Sequence, residues 1–182
     1  TYHVTVSGSR AESSRQEVQS IIDRALLDAD RQLSTYDEAS EISARNRDET
    51  QNWQDVSPTL YAVLKEARDA SELTGGAFDI TVAPLLALWG YGPGESDGSL
   101  PVAFNPPTAA QLAAARRSVG YDKLDLRNAP RAAFRKRAAG MRLTVDGIAP
   151  GYVVDRITED LLAAGHMDFI VEIGGEVRAH GQ

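Results

Sequence analysis

The spacing of apolar residues predicts a strand and then a long helix at the start of the chain. Residues 2–6 (YHVTV) alternate apolar and polar side chains, which is the two-residue period of a strand. From Ser14 to Leu33 the apolar residues recur every three or four positions, as they do on one face of an amphipathic helix. Ser14 and Glu17 have the spacing of a capping box at the start of this helix. Its apolar face is expected to lie in the core.

The middle of the chain predicts a loop followed by a second helix. Residues 33–46 are polar and rich in serine and lack a period, which predicts a loop with at most one short turn. A helix is predicted from Ser57, an N-cap that is followed by proline, to Leu73. Gly75 is expected to end it.

The distal half predicts an irregular segment, a third helix and several short strands. Residues 90–107 contain four glycines and four prolines, which predicts a surface excursion. Thr108 and Gln111 form a second capping-box pattern, and the helix that they start is expected to end at Gly120. Beyond it the patterns predict strands at 124–126, 134–137, 141–145 and 169–181 and a helix at 153–165, with Gly174 and Gly175 marking a bulge or a close backbone approach.

The order of these elements favours an α+β fold in which helices pack on mixed sheets. Strands and helices do not alternate strictly, as they would in a doubly wound sheet. A chain of 182 residues that is 42% hydrophobic is long enough for a core, so a single domain over residues 1–182 is expected. Because the chain stops within a predicted strand, we expect the C-terminal part of that domain to be absent from this sequence.

Composition and charge narrow the classes of function. A net charge of −7 and a pI near 5.0 disfavour nucleic acid and anionic membrane surfaces as partners, because both require clustered cations. No apolar run approaches the roughly 20 residues of a membrane span, and the first residues contain no signal-peptide core. With no cysteine and three scattered histidines, neither thiolate catalysis nor a zinc site is expected.

Two stretches that contain glycine are candidate ligand sites, and each has a structural alternative. Residues 145–151 (VDGIAPG) join a strand to a helix N-terminus, which can bind a phosphate, but the spacing alone favours an ordinary turn with Pro150 in the first turn of the helix. In residues 74–79 (TGGAFD) the glycines either bring backbone close to a flat ligand or cap a helix. Asp79 then either receives the donors of the ligand or caps the next helix.

Tyr36 and an acidic pair near the end of the chain are open to the same two interpretations. Tyr36, in a loop of serine and threonine, is either a surface tyrosine or a ring that stacks on a cofactor. Glu172 and Glu176 flank the Gly-Gly pair and either hold a metal or lie at a bulge, and the bulge is preferred.

Six ordered blocks resemble the ApbE family, the FAD:protein FMN transferases. The blocks are LSTYDEASEISARN, VSPTLYAVLKEA, TGGAFDITVAPLLALWGYG, SVGYDKLDL, DGIAPGYVVDRI and VEIGGEVRAHG. They occur in the order and spacing typical of the family and cover nearly the whole chain. The resemblance implies an ApbE-like α/β fold. It also implies an Mg²⁺-dependent enzyme, in which a threonine hydroxyl of a partner protein attacks the FMN-side phosphorus of FAD and AMP leaves.

The resemblance also implies roles for individual residues. Tyr36 is expected to contact the flavin, and Asn46, the residue implied in catalysis, to lie near the diphosphate or the metal. Ala77, Phe78 and Asp79 are expected to line the FAD pocket. The backbone carbonyl of Gly147 is expected to bind Mg²⁺, an ion that prefers oxygen ligands.

The chain departs from the family pattern at two positions of the cofactor site. Thr144 stands where the family has an Asp that contacts FAD, and Pro150 stands where it has a Lys on the phosphate side. Losing that cation is expected to cost roughly 2–4 kcal/mol of transition-state stabilisation. The remaining Mg²⁺ ligands are expected in a C-terminal continuation or in a second polypeptide that carries the rest of the domain.

The resemblance finally implies a place and a partner. Most members are exported, so we expect a periplasmic or cell-envelope protein whose signal or lipid anchor has been removed. The expected partner is an acceptor flavoprotein subunit of a membrane redox complex. Two alternatives remain open: an FAD-binding accessory or carrier protein that has lost transfer, and an Mg²⁺-dependent FAD pyrophosphatase.

Overall fold

The chain forms an α+β structure with two small antiparallel sheets, as the sequence predicted. A computed structural model describes residues 1–8, 14–93 and 105–181. The chain divides into two compact units, one made of Thr1–Asp30 with Ile148–Gln182 and the other of Arg31–Gly147. They are called the terminal unit and the central unit below. The division into two compact units does not test whether they form a single domain, so that expectation stays a prediction.

The terminal unit is built on a three-stranded sheet. Its strands are β1 (Tyr2–Val6), β5 (Phe169–Ile173) and β6 (Glu176–His180), in the order β1-β5-β6. All pairs are antiparallel, and Val171 at the centre of the sheet lies opposite Val4 and Arg178.

Two helices cover this sheet and form the core of the terminal unit. They are α1 (Arg15–Leu33), which belongs to this unit as far as Asp30, and α6 (Ala149–Ala163). Because their apolar residues recur every three or four positions, one face of each helix is buried against the strands. The buried cluster consists of Ile21, Ile22, Val153, Val154, Ile157, Leu161, Phe169 and Val171. The predicted core faces of both helices are confirmed.

The central unit has its own three-stranded sheet. Its strands are β2 (Gln54–Asp55), β3 (Leu124–Arg127) and β4 (Ala133–Lys136), in the order β2-β4-β3. Phe134 in the middle strand lies opposite both Gln54 and Leu126 and is 1% exposed.

The structure describes four α-helices in the central unit, and two of them begin where the predicted capping signals place them. They are α2 (Glu41–Arg47), α3 (Pro58–Leu73), α4 (Ala83–Leu88) and α5 (Ala109–Arg116). Ser57 caps α3 by accepting a hydrogen bond from the Leu60 amide, and Thr108 and Gln111 form the predicted capping box of α5. Both starts are therefore confirmed.

Four predictions about local structure were wrong in part or in whole. The loop at 33–46 contains α2, which Ser40 caps by accepting from the Ser43 amide. The helix that begins at Thr108 ends at Arg116, before Gly120. The strand predicted at 169–181 is a hairpin, because Gly174 and Gly175 adopt φ of 61° and 98°, as a two-residue turn requires. Residues 141–145 form no strand.

Two further predictions concern the segment at 90–107 and membrane spans. Most of the excursion predicted at 90–107 lies outside the described residues, which omit 94–104. Within the described ranges, no helix is long and apolar enough to cross a bilayer.

Candidate functional site

The central unit contains a cavity of about 610 Å³, which is within the range of small-molecule sites. Three of the residues that the sequence predicted for the cofactor site, Tyr36, Asn46 and Thr144, line it together. Helix α4 supplies an apolar side through Ala83, Leu86 and Ala87, and the charged residues of the wall are Glu38, Arg47, Glu49, Arg142 and Asp146. The cavity therefore combines apolar surface with a small set of charges. We call it the central cavity.

Tyr36 presents its ring at the wall of this cavity. The side chain is 68% exposed, although it follows Thr35, which is only 5% exposed. Serine hydroxyls hold the loop around it: Ser40 and Ser43 donate to the Ser34 carbonyl at 2.5 and 3.1 Å. The serines on which the loop prediction was based thus fix the backbone of this segment, and the tyrosine ring stays accessible.

Asn46 uses its side chain to hold another part of the wall. Its Nδ2 donates to the Leu143 carbonyl and its Oδ1 accepts from the Leu143 amide, both at 2.8 Å. Leu143 is 1% exposed, so these backbone groups are largely shielded from bulk solvent. Asn46 is therefore a positioning residue in this structure, and its implied place beside a diphosphate or metal stays a prediction.

The Asn46 contact explains why residues 141–145 form no strand although their burial alternates as in one. Met141, Leu143 and Val145 are buried, as the period predicted. The backbone, however, bonds to a side chain at Leu143 and to the Ile80 carbonyl from the Thr144 amide at 2.8 Å. We call residues 141–146 the wall segment.

Four residues of the wall segment line the central cavity: the buried Leu143, and three residues that lie between or beyond the buried ones. These three are Arg142, Thr144 and Asp146. The Oδ1 atom of Asp146 accepts a hydrogen bond from Thr35 Oγ1 at 2.8 Å, which fixes the carboxylate next to the Tyr36 loop. Sequence reasoning singled out only Thr144, although the same two-residue period places Arg142 and Asp146 on its face.

The buried ammonium of Lys136 holds the end of the helix that carries Asn46. Lys136 is 3% exposed, and its Nζ donates to the carbonyl of Arg45 at 2.8 Å and to that of Asp48. Burial lowers the pKa of Lys136 below its ordinary value of 10.5, although the charges of Asp48 and Glu49 act in the opposite direction. Sequence reasoning missed this residue because an isolated Lys in a basic strand gives no signal of burial.

The contacts of Asp79 fit the structural one of its two interpretations, and its implied place in the FAD pocket stays a prediction. Its Oδ1 accepts from the amide and the hydroxyl of Thr81 at 2.8 and 2.7 Å, and its Oδ2 accepts from the Tyr121 amide at 2.9 Å. It thereby caps the short 3-10 helix Ile80–Val82. Both oxygens are engaged inside the protein, and Asp79 does not line the central cavity.

Phe78 lies beside Gly147, so the structure brings these two predicted residues together. A β-carbon added at Gly147 would be 3.3 Å from Phe78 Cε2, which leaves little room for any larger residue. Ala77 is exposed, and its amide donates to the Thr74 carbonyl at 3.3 Å. Neither Ala77 nor Phe78 lines the central cavity.

Pro150 belongs to the terminal unit, where it lies in the first turn of α6. Its surroundings fit the structural interpretation of the turn, because Ile148 at the N-cap offers no side-chain hydrogen bond and proline needs no amide acceptor. A contact of Pro150 with a cofactor stays a prediction.

The described residues offer oxygen ligands for a cation but no cluster of acidic side chains. Within residues 1–8, 14–93 and 105–181, no group of three or more His, Asp or Glu residues could hold a metal ion. The Gly147 carbonyl and the neighbouring Asp146 carboxylate are donors of the kind that Mg²⁺ accepts, and Mg²⁺ commonly completes its shell with waters and substrate phosphates. These two residues have the ligand chemistry for part of an Mg²⁺ site, and that site stays a prediction.

Comparison with known proteins places the chain in a family of flavin transferases. The sequence profile of the ApbE family matches residues 1–182, and the chain belongs to that family. It is 34% identical to the FAD:protein FMN transferase of Haemophilus influenzae, over 100% of this chain and 52% of that protein. The corresponding enzyme of Vibrio cholerae is 32% identical, again over 100% of this chain and 52% of the relative.

Solved structures agree with the sequence comparison. A point mutant of the flavin transferase ApbE from Vibrio cholerae matches with a TM-score of 0.87 at 32% identity, over 99% of this chain and 59% of that one. The apo form of the Pseudomonas stutzeri flavinyl transferase ApbE also matches with a TM-score of 0.87, at 30% identity, over 100% of this chain and 54% of that one. The chain spans about half the length of the curated relatives that it matches. The predicted family and fold class are thus confirmed.

Proposed function

We propose that the protein transfers FMN from FAD to a threonine hydroxyl of an acceptor flavoprotein and releases AMP. The observation that carries this proposal is the central cavity, which gathers Tyr36, Asn46 and Thr144 in a chain that the ApbE family matches from end to end. The Haemophilus influenzae and Vibrio cholerae relatives described above are named FAD:protein FMN transferases.

The proposed reaction exchanges one phosphorus–oxygen bond for another. The threonine oxygen of the acceptor bonds to the phosphorus on the FMN side of FAD, and the bond from that phosphorus to the bridging oxygen breaks. AMP departs with the bridging oxygen and its electron pair, and the hydroxyl proton is released to solvent. Such a transfer depends on positioning and charge stabilisation more than on a protein nucleophile.

The residues of the central unit are suited to the positioning part of this work. The exposed Tyr36 ring offers a flat face to an isoalloxazine. Thr144 and Asp146 present polar groups on the same wall, and Asn46 fixes that wall through Leu143. Gly147 and Asp146 would hold the Mg²⁺ ion, which supplies charge neutralisation at the diphosphate when it is bound.

The proposed partner is a flavoprotein subunit of a membrane redox complex, and the proposed location is the periplasm or cell envelope. Both follow from the family resemblance. Because the threonine of the acceptor is the nucleophile in this proposal, the described residues do not have to supply one.

The test incubates the protein with FAD, Mg²⁺ and a candidate acceptor, and follows AMP together with flavin fluorescence on a denaturing gel. Fluorescent acceptor and an equal amount of AMP are expected. The matched control is an acceptor whose threonine is replaced by valine, which should stay unlabelled. AMP and free FMN without labelled acceptor would instead indicate a pyrophosphatase, and retained FAD with neither product would indicate a carrier.

A further inference from the structure

Two arginines reach the central cavity from different parts of the fold. Arg47 is the last residue of α2, and Arg142 belongs to the wall segment. They are the two arginines among the described residues that line this cavity. Since Asn46 ties the wall segment to α2, the two guanidinium groups belong to backbones that are held together.

Neither arginine has a partner within the part of the chain that the structure describes. Arg45 on the same helix pairs with Glu41 at 3.9 Å, and Arg135 in β4 pairs with Asp125 at 2.6 Å. Arg47 and Arg142, in contrast, form no ion pair or hydrogen bond with the described residues. An exposed arginine without a partner is ordinary on a convex surface, but these two side chains face a concave one.

The surroundings of Arg142 add to the positive charge on this wall. Arg142 also lines an adjoining cavity of about 210 Å³, whose wall includes the buried Lys136. The Lys136 ammonium donates to two carbonyls and pairs with no carboxylate in the described segments. Burial is the main cause that lowers its pKa, and the charge of Arg142 contributes in the same direction. An anion bound beside Arg142 would reduce this repulsion.

The three carboxylates of the central cavity require cations if its ligand is anionic, and the two arginines add to the charge that an Mg²⁺ ion at Asp146 would supply. Glu38, Glu49 and Asp146 would repel a phosphate group if no cation lay between them. Guanidinium groups bind two phosphate oxygens at once and keep their charge at any physiological pH, so they suit a diphosphate better than a single ammonium does.

We propose that Arg47 and Arg142 bind the diphosphate of the flavin dinucleotide, while the exposed Tyr36 ring receives the flavin on the same wall. The inference rests on the proposed function, because it assigns the phosphate-binding residues of that same cavity. It makes the two arginines the residues that distinguish FAD from flavins without phosphate.

The experiment compares the affinities for FAD and for riboflavin, which carries the same ring system but no phosphate. Dissociation constants are measured by fluorescence titration for the wild type, Arg47→Gln, Arg142→Gln and the double variant, in one buffer with one Mg²⁺ concentration. Each single substitution should weaken FAD binding about tenfold or more, because a hydrogen bond to a charged group is lost. Riboflavin binding should change less than about twofold by the same reasoning.

Two further variants separate charge from structure. Arg142→Lys should recover part of the FAD affinity, since it keeps the charge but loses the fork geometry. Arg131→Gln is the matched control, because Arg131 is 80% exposed in the same unit and does not line the cavity. It should bind both flavins as the wild type does.

The possible failures are distinguishable. Equal losses of FAD and riboflavin affinity in the glutamine variants would mean that the arginines only support the fold. Unchanged FAD affinity would place the diphosphate elsewhere, and either result overturns this inference while flavin binding stands. A wild type that binds neither flavin would overturn the proposed function and this inference with it.

Discussion

Replacing Asn46 with alanine should destabilise the central unit, because the side chain satisfies two buried backbone groups. The amide and carbonyl of Leu143 bond to Asn46 at 2.8 Å each, and Leu143 is 1% exposed. A buried polar group left without a partner costs about 1–3 kcal/mol, so the two together could cost about 2–6 kcal/mol. Asn46 also lines a cavity that can admit water, so a value of about 2–3 kcal/mol at the lower end is expected.

The assay measures the free energy of unfolding in urea, with tryptophan fluorescence as the signal. Both tryptophans, Trp53 and Trp89, belong to the central unit, so the signal reports on that unit. In a separate thermal unfolding experiment, the predicted loss of free energy should lower the melting temperature by about 4–12 °C. Asn46→Asp should lie between the alanine variant and the wild type, because it keeps an acceptor for the Leu143 amide but no donor for the carbonyl.

A matched control and a clear refutation are available for this prediction. Asn128 is exposed, and Asn128→Ala should change the free energy of unfolding by less than about 0.5 kcal/mol. If Asn46→Ala unfolded like the wild type but lost FAD affinity, the positioning role would be refuted. Asn46 would then contact the ligand itself, as the family resemblance implies.

Two other substitutions test the supports of the site. Asp79→Ala should lower the free energy of unfolding by about 2–3 kcal/mol in urea titrations, because the amides of Thr81 and Tyr121 lose their acceptor; unchanged stability with weaker FAD binding would return Asp79 to a ligand role. Lys136→Met should alter the pH dependence of stability. Burial lowers the pKa of Lys136 in the folded state below 10.5, so between the folded and the unfolded pKa the unfolded chain binds more protons than the folded one. The free energy of unfolding of the wild type should therefore rise with pH in that range. Melting temperatures measured from pH 8 to 11 should show this rise in the wild type and not in the methionine variant. The same dependence on pH in both proteins would contradict a lowered pKa at Lys136.

Local capping signals were sufficient to predict some elements of the fold. Ser57 followed by Pro58 located the start of α3, because both the cap and the proline act within one turn. The short helix α2 was missed because Ile42 is its only buried apolar residue, so it has no apolar period. Its stability comes from the Ser40 cap and from serine contacts to the preceding loop, which resemble loop signals in a sequence.

The hairpin at Gly174 and Gly175 was within reach of the sequence. Two apolar runs separated by a Gly-Gly pair are typical of a two-residue turn, because glycine tolerates the positive φ that both positions need. The interpretation as a bulge kept a single strand where the chain in fact reverses. Glu172 has a place in this turn, since its Oε1 accepts from the Gly175 amide at 2.8 Å.

The site was predicted less completely than the fold, because its residues meet through contacts between distant segments. The family resemblance singled out Tyr36, Asn46 and Thr144, which share the central cavity. It gave no reason to select Arg47 or Arg142. Their relevance depends on the pairing of Asn46 with Leu143, which joins residues 97 positions apart and which no periodicity can reveal.

The wall segment shows why that single amide contact matters for the chemistry of the cavity. Residues 141, 143 and 145 are buried, whereas 142, 144 and 146 are more exposed and line the cavity, so burial alternates along the segment even though the buried Leu143 also lines the cavity. In a sheet, a ladder of hydrogen bonds would fix this register, and a slip of one residue would exchange the two sets. Here the register depends on Asn46 at Leu143 and on Ile80 at Thr144. We therefore expect Asn46 to help set which side chains of the wall segment face the central cavity, whether or not it contacts a ligand itself.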